Sequence, residues 1–231
     1  MKNQLLPDAP ISRSKFPKVR VCETFASLQG ESTHAGRKCF FIRLAGCNLD
    51  CSYCDTRYAR SFEAGAERSV ESLVDEVLAS GLKLAEITGG EPLCSSETPR
   101  LCQALIDNGI EVLLETNGSM KLDTVPAAVR KIIDCKLPDS GMSDCNLYEN
   151  YSLLQKHDEV KFVISSRADF DFACHIIVKY ALFERTPHLI ASPVWGRVSF
   201  EELSSYVMES PLPWRMQLQM HKIIWGDRRG V

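Results

Sequence analysis

Three cysteines stand close together in the chain: Cys47, Cys51 and Cys54, spaced Cys-x3-Cys-x2-Cys. Thiolates this near one another on a loop can face one metal centre. A structural zinc takes four protein ligands, and no fourth Cys or His follows at zinc-finger spacing. A cubane iron–sulfur cluster is also held by thiolates, and three of them leave its fourth iron for another ligand. Such a centre binds as well as carries electrons. A zinc loop or a pair of redox thiols is the plainer alternative. Ahead of the loop, Phe40-Phe41-Ile42-Arg43-Leu44-Ala45-Gly46 reads as a buried strand. The cysteines therefore follow the carboxyl end of a strand, where α/β folds carry their chemistry.

Further polar or glycine-rich segments follow other expected strands. They are Thr88–Glu91, Glu115–Gly118, Lys136–Gly141, Ser165–Arg167, Ser192–Gly196 and Gln219–His221. In a parallel sheet all of them converge on one face. Gly89-Gly90-Glu91-Pro92 lets backbone come close to a ligand, since no Cβ intervenes; an ordinary β-to-α turn is the bland reading. Arg43 is a charge inside an apolar strand and needs a partner. That partner is either an anionic ligand gripped bidentately or an internal carboxylate.

The elements that position these groups alternate. Strands are expected at 19–23, 40–46, 84–88, 111–115, 132–135, 160–164, 189–191 and 215–220. Helices are expected at 69–81, from Thr98-Pro99 to Gly109, near 124–131, around 146–157, at 169–183 and at 199–208. Six strand–helix units plus an end strand make an α/β fold with a parallel sheet and right-handed crossovers. Eight units close a barrel, so six predict a partial, open (β/α)6 barrel. Residues 1–18, with Pro7, Pro10 and Pro17, read as a mobile tail, and 19–231 as a single core domain.

The net charge of −3 and pI near 6.0 give no general attraction to nucleic acid or acidic membranes. No apolar run reaches spanning length, and Met1–Pro10 lacks a signal core, so a cytoplasmic location is expected. The ten cysteines are then reduced thiols, most of them small buried hydrophobes. A second centre built from Cys94, Cys135 and Cys145 is conceivable.

The triad resembles that of the radical S-adenosylmethionine (SAM) superfamily, and Gly89-Gly90-Glu91 resembles its Gly-Gly-Glu motif. Within it, the chain from about residue 20 to 231 resembles the 7-carboxy-7-deazaguanine synthase family. The residues that carry this are Leu28-Gln29-Gly30-Glu31, Phe41–Cys47, Cys51–Thr56, Thr88–Pro92, Glu115–Gly118, Lys136–Gly141, Ser192-Pro193-Val194 and Gln217–Lys222. Ser32 stands where the resemblance leads one to expect a glycine. Such enzymes convert 6-carboxy-5,6,7,8-tetrahydropterin to 7-carboxy-7-deazaguanine with loss of ammonia, towards queuosine. A SAM-derived radical starts the reaction and SAM is used catalytically.

The resemblance implies a 4Fe-4S cluster on Cys47, Cys51 and Cys54, and Mg²⁺ on Thr56, which is otherwise a turn hydroxyl. It implies SAM contacts from Gly90, Glu91, Lys136, Leu137, Pro138, Ser192, Pro193, Val194 and Trp195. Substrate contacts are implied for Leu28, Gln29, Gly30, Arg43, Thr88, Glu115, Asn117, Gln219 and His221. For His221 a structural role weighs equally. The carboxylate of Val231 is a weaker candidate for a substrate contact. No protein side chain is expected to carry the chemical step itself. An electron donor such as flavodoxin and a homodimer covering the open barrel edges are the partners implied. A glycyl-radical-enzyme activase is the nearest rival, and a non-catalytic zinc module the rival of another class. Cys51→Ala is expected to abolish the brown iron–sulfur absorbance of the reconstituted protein. An intact cluster in that variant would discard the ligand set.

Overall fold

The structure, a computed structural model, describes residues 17–231. The described residues form fifteen strands and α-helices, with short 3₁₀ turns between them. They are β1 (Lys18–Leu28), β2 (Lys38–Leu44), β3 (Ala66–Ser69), α1 (Val70–Ala79), β4 (Leu84–Gly89), α2 (Thr98–Asp107), β5 (Glu111–Thr116) and β6 (Arg130–Cys135). After these come β7 (Glu159–Ile164), α3 (Arg167–Lys179), α4 (Leu182–Arg185), β8 (Leu189–Pro193), α5 (Phe200–Glu209), β9 (Trp214–Met216) and α6 (Met220–Trp225). One nine-stranded sheet runs in the order β3-β1-β2-β4-β5-β6-β7-β8-β9. From β2 to β9, β3 excepted, neighbours are parallel. β1 pairs antiparallel with β2 and β3. This is the expected open, largely parallel α/β sheet.

The pleat sorts the strand residues by a period of two. Phe40, Ile42, Leu44, Ala85, Ile87, Val112, Leu114, Ile133, Val160 and Phe162 join the large core, together with Leu73, Leu101 and Phe170 of the helices. The opposite face carries a small apolar layer of Cys39, Phe41, Leu84, Leu113 and Ile132. Two residues further along the same strands that face turns polar, with Arg43, Glu86, Thr88, Glu115 and Asp134. Lys161 of β7 is level with Asp134 in the pairing register.

Several expectations need correction. Lys18, assigned to the tail, opens β1 opposite Ser69; the tail's residues 1–16 lie outside the described ones. β1, expected over 19–23, runs on to Leu28. The helix near 124–131 is absent. Pro126 interrupts a span of two tight turns, Val125 N–H to Leu122 O and Val129 N–H to Pro126 O, and so short a segment cannot nucleate a helix. Around 146–157 only a six-residue 3₁₀ helix forms, Tyr148–Leu153, its Tyr148 ring stacked 4.8 Å from that of Tyr180. The last strand stops at Met216, and His221 stands on α6 instead.

Ser32 lies in the turn between β1 and β2 at φ 64°, the left-handed region that glycine enters freely. It is buried, and its Oγ accepts from the His34 N–H at 3.0 Å. The hydroxyl thus offsets part of the cost of a Cβ in that conformation. Ser32→Gly is expected to be more stable than Ser32→Ala by about 1 kcal/mol in chemical denaturation, since both lose the hydroxyl and only alanine keeps the strained Cβ. Equal stabilities would remove the strain argument.

Candidate functional site

Strand ends and the C-terminal segment enclose a cavity of about 530 Å³. Its wall includes Cys47, Cys51, Cys54 and Thr56. It also includes Leu28, Gln29, Gly30, Arg43, Thr88, Gly90, Glu115, Asn117, Lys136, Pro193, Val194, Trp195, Gln219, His221 and Val231. Residues expected from separate stretches of chain therefore meet at one place.

The cysteine loop is shaped by main-chain bonds. Gly46 and Cys47 donate to Ala59 O and Arg60 O at 2.8 and 2.9 Å, and Ser52 donates to Ser140 O at 3.0 Å. The end of β4 closes on it: Gly90 N–H meets Leu44 O at 3.1 Å and Glu91 N–H meets Gly46 O at 2.8 Å. A Cβ on Gly90 would come within 2.2 Å of Gly46 O and 2.9 Å of Cys47 Cβ. The glycine is thus demanded by the loop that carries the thiols. Burial pushes the Cys51 thiol up to about 11, with Lys136 partly offsetting it. A thiolate there needs a cationic partner.

The three thiols are free. Among the described residues no three His, Cys, Asp or Glu side chains converge as a single metal ion requires. Tetrahedral zinc, with sulfurs about 2.3 Å from the metal, needs that convergence. A cubane, with each thiolate on a different iron, accepts a wider triangle, so the donor set fits a cluster.

Four expected residues are not on the cavity wall. Leu137 and Ser192 are buried behind it, and Pro138 is on the surface. Glu91 is buried and faces the protein: it accepts from Leu93 N–H, Thr116 Oγ and Asn117 N–H at 2.9, 2.9 and 2.6 Å. It braces the strand ends. Gln29 lines the cavity, yet both ends of its carboxamide are used within the protein. Its Nε2 donates to Glu86, and its Oε1 accepts from Glu31 N–H at 2.8 Å. Asn117 leans on the cysteine loop, donating to Asn48 Oδ1 at 3.1 Å. Arg43 donates through Nε to Glu23 at 2.9 Å, so an internal carboxylate is present, and Nε is its one hydrogen-bonding nitrogen among the described residues. Gly30 has His221 against it; a Cβ there would lie 2.5 Å from His221 Nδ1.

Sequence reasoning missed Glu86 and Lys161. Both are charges inside apolar strands, the signal that singled out Arg43. Lys161 Nζ is shared between Glu115 and Glu31, the latter at 3.0 Å. Gln217 and Gln219 donate to Glu31 at 3.2 and 2.9 Å. Burial would raise the Glu115 carboxyl, but Lys161 holds it down at about 2. Burial and the neighbouring Glu115 charge push Glu86 well above the ordinary carboxylate range.

An open parallel sheet with a cysteine loop after its first parallel strand is the arrangement of radical SAM proteins. A sequence profile described as the Radical SAM superfamily matches residues 41–140. Two relatives, from Chlorobaculum tepidum and Koribacter versatilis, are each named 7-carboxy-7-deazaguanine synthase. The first is 41% identical over 217 residues, covering 92% of this chain and 97% of its own. The second is 39% identical over 229 residues, covering 92% and 100%. The chain belongs to the 7-carboxy-7-deazaguanine synthase family. The crystal structure of QueE from Escherichia coli shares the fold, with a TM-score of 0.69 at 22% identity over 88% of this chain and 95% of that one. The family implies a 4Fe-4S cluster and SAM. No helix among the described residues is long and apolar enough to cross a membrane.

The Glu86 carboxyl generates a pH prediction. Below the unfolded value near 4.5 both states are protonated and its burial has no pH-linked cost. As pH rises past that value the unfolded chain ionises first, so stability falls until the raised folded value is passed. Glu86→Gln is therefore expected to gain Tm over wild type progressively from pH 5 to pH 8. A gain that is independent of pH would show an ionised Glu86.

Proposed function

We propose that this chain converts 6-carboxy-5,6,7,8-tetrahydropterin to 7-carboxy-7-deazaguanine, releasing ammonia. The observation that carries it is the shared cavity, lined by the three thiols and by groups suited to a carboxylated pterin, in a chain of this family. Bound together, the 4Fe-4S cluster and SAM supply a carbon-centred radical able to take a hydrogen from substrate, and SAM is regenerated.

The protein's own part is to hold and orient. Cys47, Cys51 and Cys54 hold the cluster. Lys136, Gly90 and the segment Pro193–Trp195 bound the SAM side of the cavity. Thr56 Oγ is a hard oxygen donor suited to Mg²⁺, which keeps several other positions for water and for the substrate carboxylate. Arg43, anchored through Nε by Glu23, presents its terminal N–H groups to that carboxylate. Glu115, Gln219 and His221 offer acceptors and donors to the pterin's edge, and the main chain at Leu28–Gly30 offers more. Gln29 acts through the turn it ties together. An external electron donor such as flavodoxin, a homodimer and a cytoplasmic location belong to the same proposal.

The test is anaerobic turnover by the iron-reconstituted protein with SAM, Mg²⁺ and dithionite, followed by mass spectrometry. The expected result is 7-carboxy-7-deazaguanine without matching loss of SAM. Release of 5′-deoxyadenosine without that product would move the search to another substrate. Arg43→Leu is expected to raise the substrate KM about 10–100-fold, the worth of a charge-assisted pair, with SAM affinity unchanged. An unchanged KM would remove the clamp.

A further inference from the structure

The C-terminal tail brings a second guanidinium to the cavity wall. Arg229 stacks on Tyr58, its Cζ 3.8 Å from the ring centroid, and both residues line the cavity. The ring's negative face holds a guanidinium there, and the stacked plane keeps its edge N–H groups available to an anion. Tyr58 is itself seated. Its hydroxyl donates at 2.8 Å to Glu23 Oε1, the oxygen that also accepts from Arg43 Nε at 2.9 Å. Arg43 Cζ lies 6.0 Å from the same ring.

The two guanidiniums of this group differ in their partners. Burial keeps the Tyr58 hydroxyl neutral, pushing it up to about 12. Among the described residues Glu23 is the one carboxylate within salt-bridge distance of Arg43, with Glu115 bearing on it from further off, and none is within that distance of Arg229. Both guanidiniums also bear on the thiol of Cys22. Arg229 therefore lines the cavity with no ion-pair partner among the described residues, placed to meet an anionic ligand there.

We propose that Arg229, stacked on Tyr58, is the second cation of an anion subsite whose first is Arg43, and that it sets a preference for pterins bearing a carboxylate. This rests on the pterin reading above. The stack also fixes where the tail lies, so that cation and tail arrive at the cavity together.

The test is an anaerobic fluorescence titration of the cluster-loaded enzyme with 6-carboxypterin and with 6-methylpterin. Wild type is expected to bind the carboxylated ligand more tightly. Arg229→Met should weaken 6-carboxypterin about tenfold, the loss of one charge-assisted contact, and leave 6-methylpterin unchanged. Arg229→Lys should retain part of the preference. Tyr58→Leu should resemble Arg229→Met, whereas Tyr58→Phe, which keeps the ring, should hold more of the preference than Tyr58→Leu. Iron content and 6-methylpterin affinity separate this from misfolding. Equal weakening of both ligands in Arg229→Met would make Arg229 a structural fastener and overturn the proposal, as would no weakening at all. Wild-type enzyme that binds 6-methylpterin as well as 6-carboxypterin overturns the anion subsite. Wild-type enzyme that binds neither overturns the pterin reading beneath it.

Discussion

One buried ammonium, that of Lys161, ties the open side of the sheet together. Taking it from water carries a large desolvation cost that only close anions offset. Glu115 from β5 and Glu31 from the β1–β2 turn are those anions. Glu31 in turn accepts from Gln217 and Gln219 beyond the last strand. A central strand, the first hairpin and the C-terminal segment are therefore held to one charge. Glu31 reaches this ammonium from the turn that begins with Gln29, so that turn is kept inward. Glu86 completes the arrangement as a neutral partner for Gln29, because a third ionised carboxylate would add repulsion without a second ammonium to meet it.

The same economy shapes the thiol loop. The end of β4 and the loop after β2 meet through main-chain hydrogen bonds, at a separation that no side chain would permit at Gly90. Glu91 turns away from the cavity and ties down the end of β5. The motif's glutamate thus keeps two neighbouring strand ends in step, and the glycines before it let them touch.

The strands and most helices were legible because long apolar runs alternated with amphipathic ones, and a cap such as Ser69 marked a start; the Ser166 cap went unread, so the helix that begins at Arg167 was expected from 169. Strand ends bearing polar residues gave the cavity nearly complete. What the chain concealed was orientation. Leu84-Ala85-Glu86-Ile87-Thr88 reads as a buried strand on both faces, and nothing in it says that Glu86 points into the open side. Gly90 advertised a close backbone approach, but to a ligand and to a neighbouring loop alike. Glu91 and Gln29 looked available because part of what holds each, Asn117 N–H and Glu31 N–H, is main chain without a side-chain signature. Pro126 was a breaker inside an expected helix, and its rule outweighed the apolar spacing around it.

The main-chain bonds around the cysteine loop have a bearing on how the protein matures. Each of them joins main-chain groups of the protein itself. In small zinc modules the chain is unfolded until the ion binds, and the ordering cost is met at that moment. Here the ordering is done by Ala59, Arg60, Ser140 and Gly46 carbonyls during folding. The loop's shape is thus tied to the strand ends around it and not to the thiols alone.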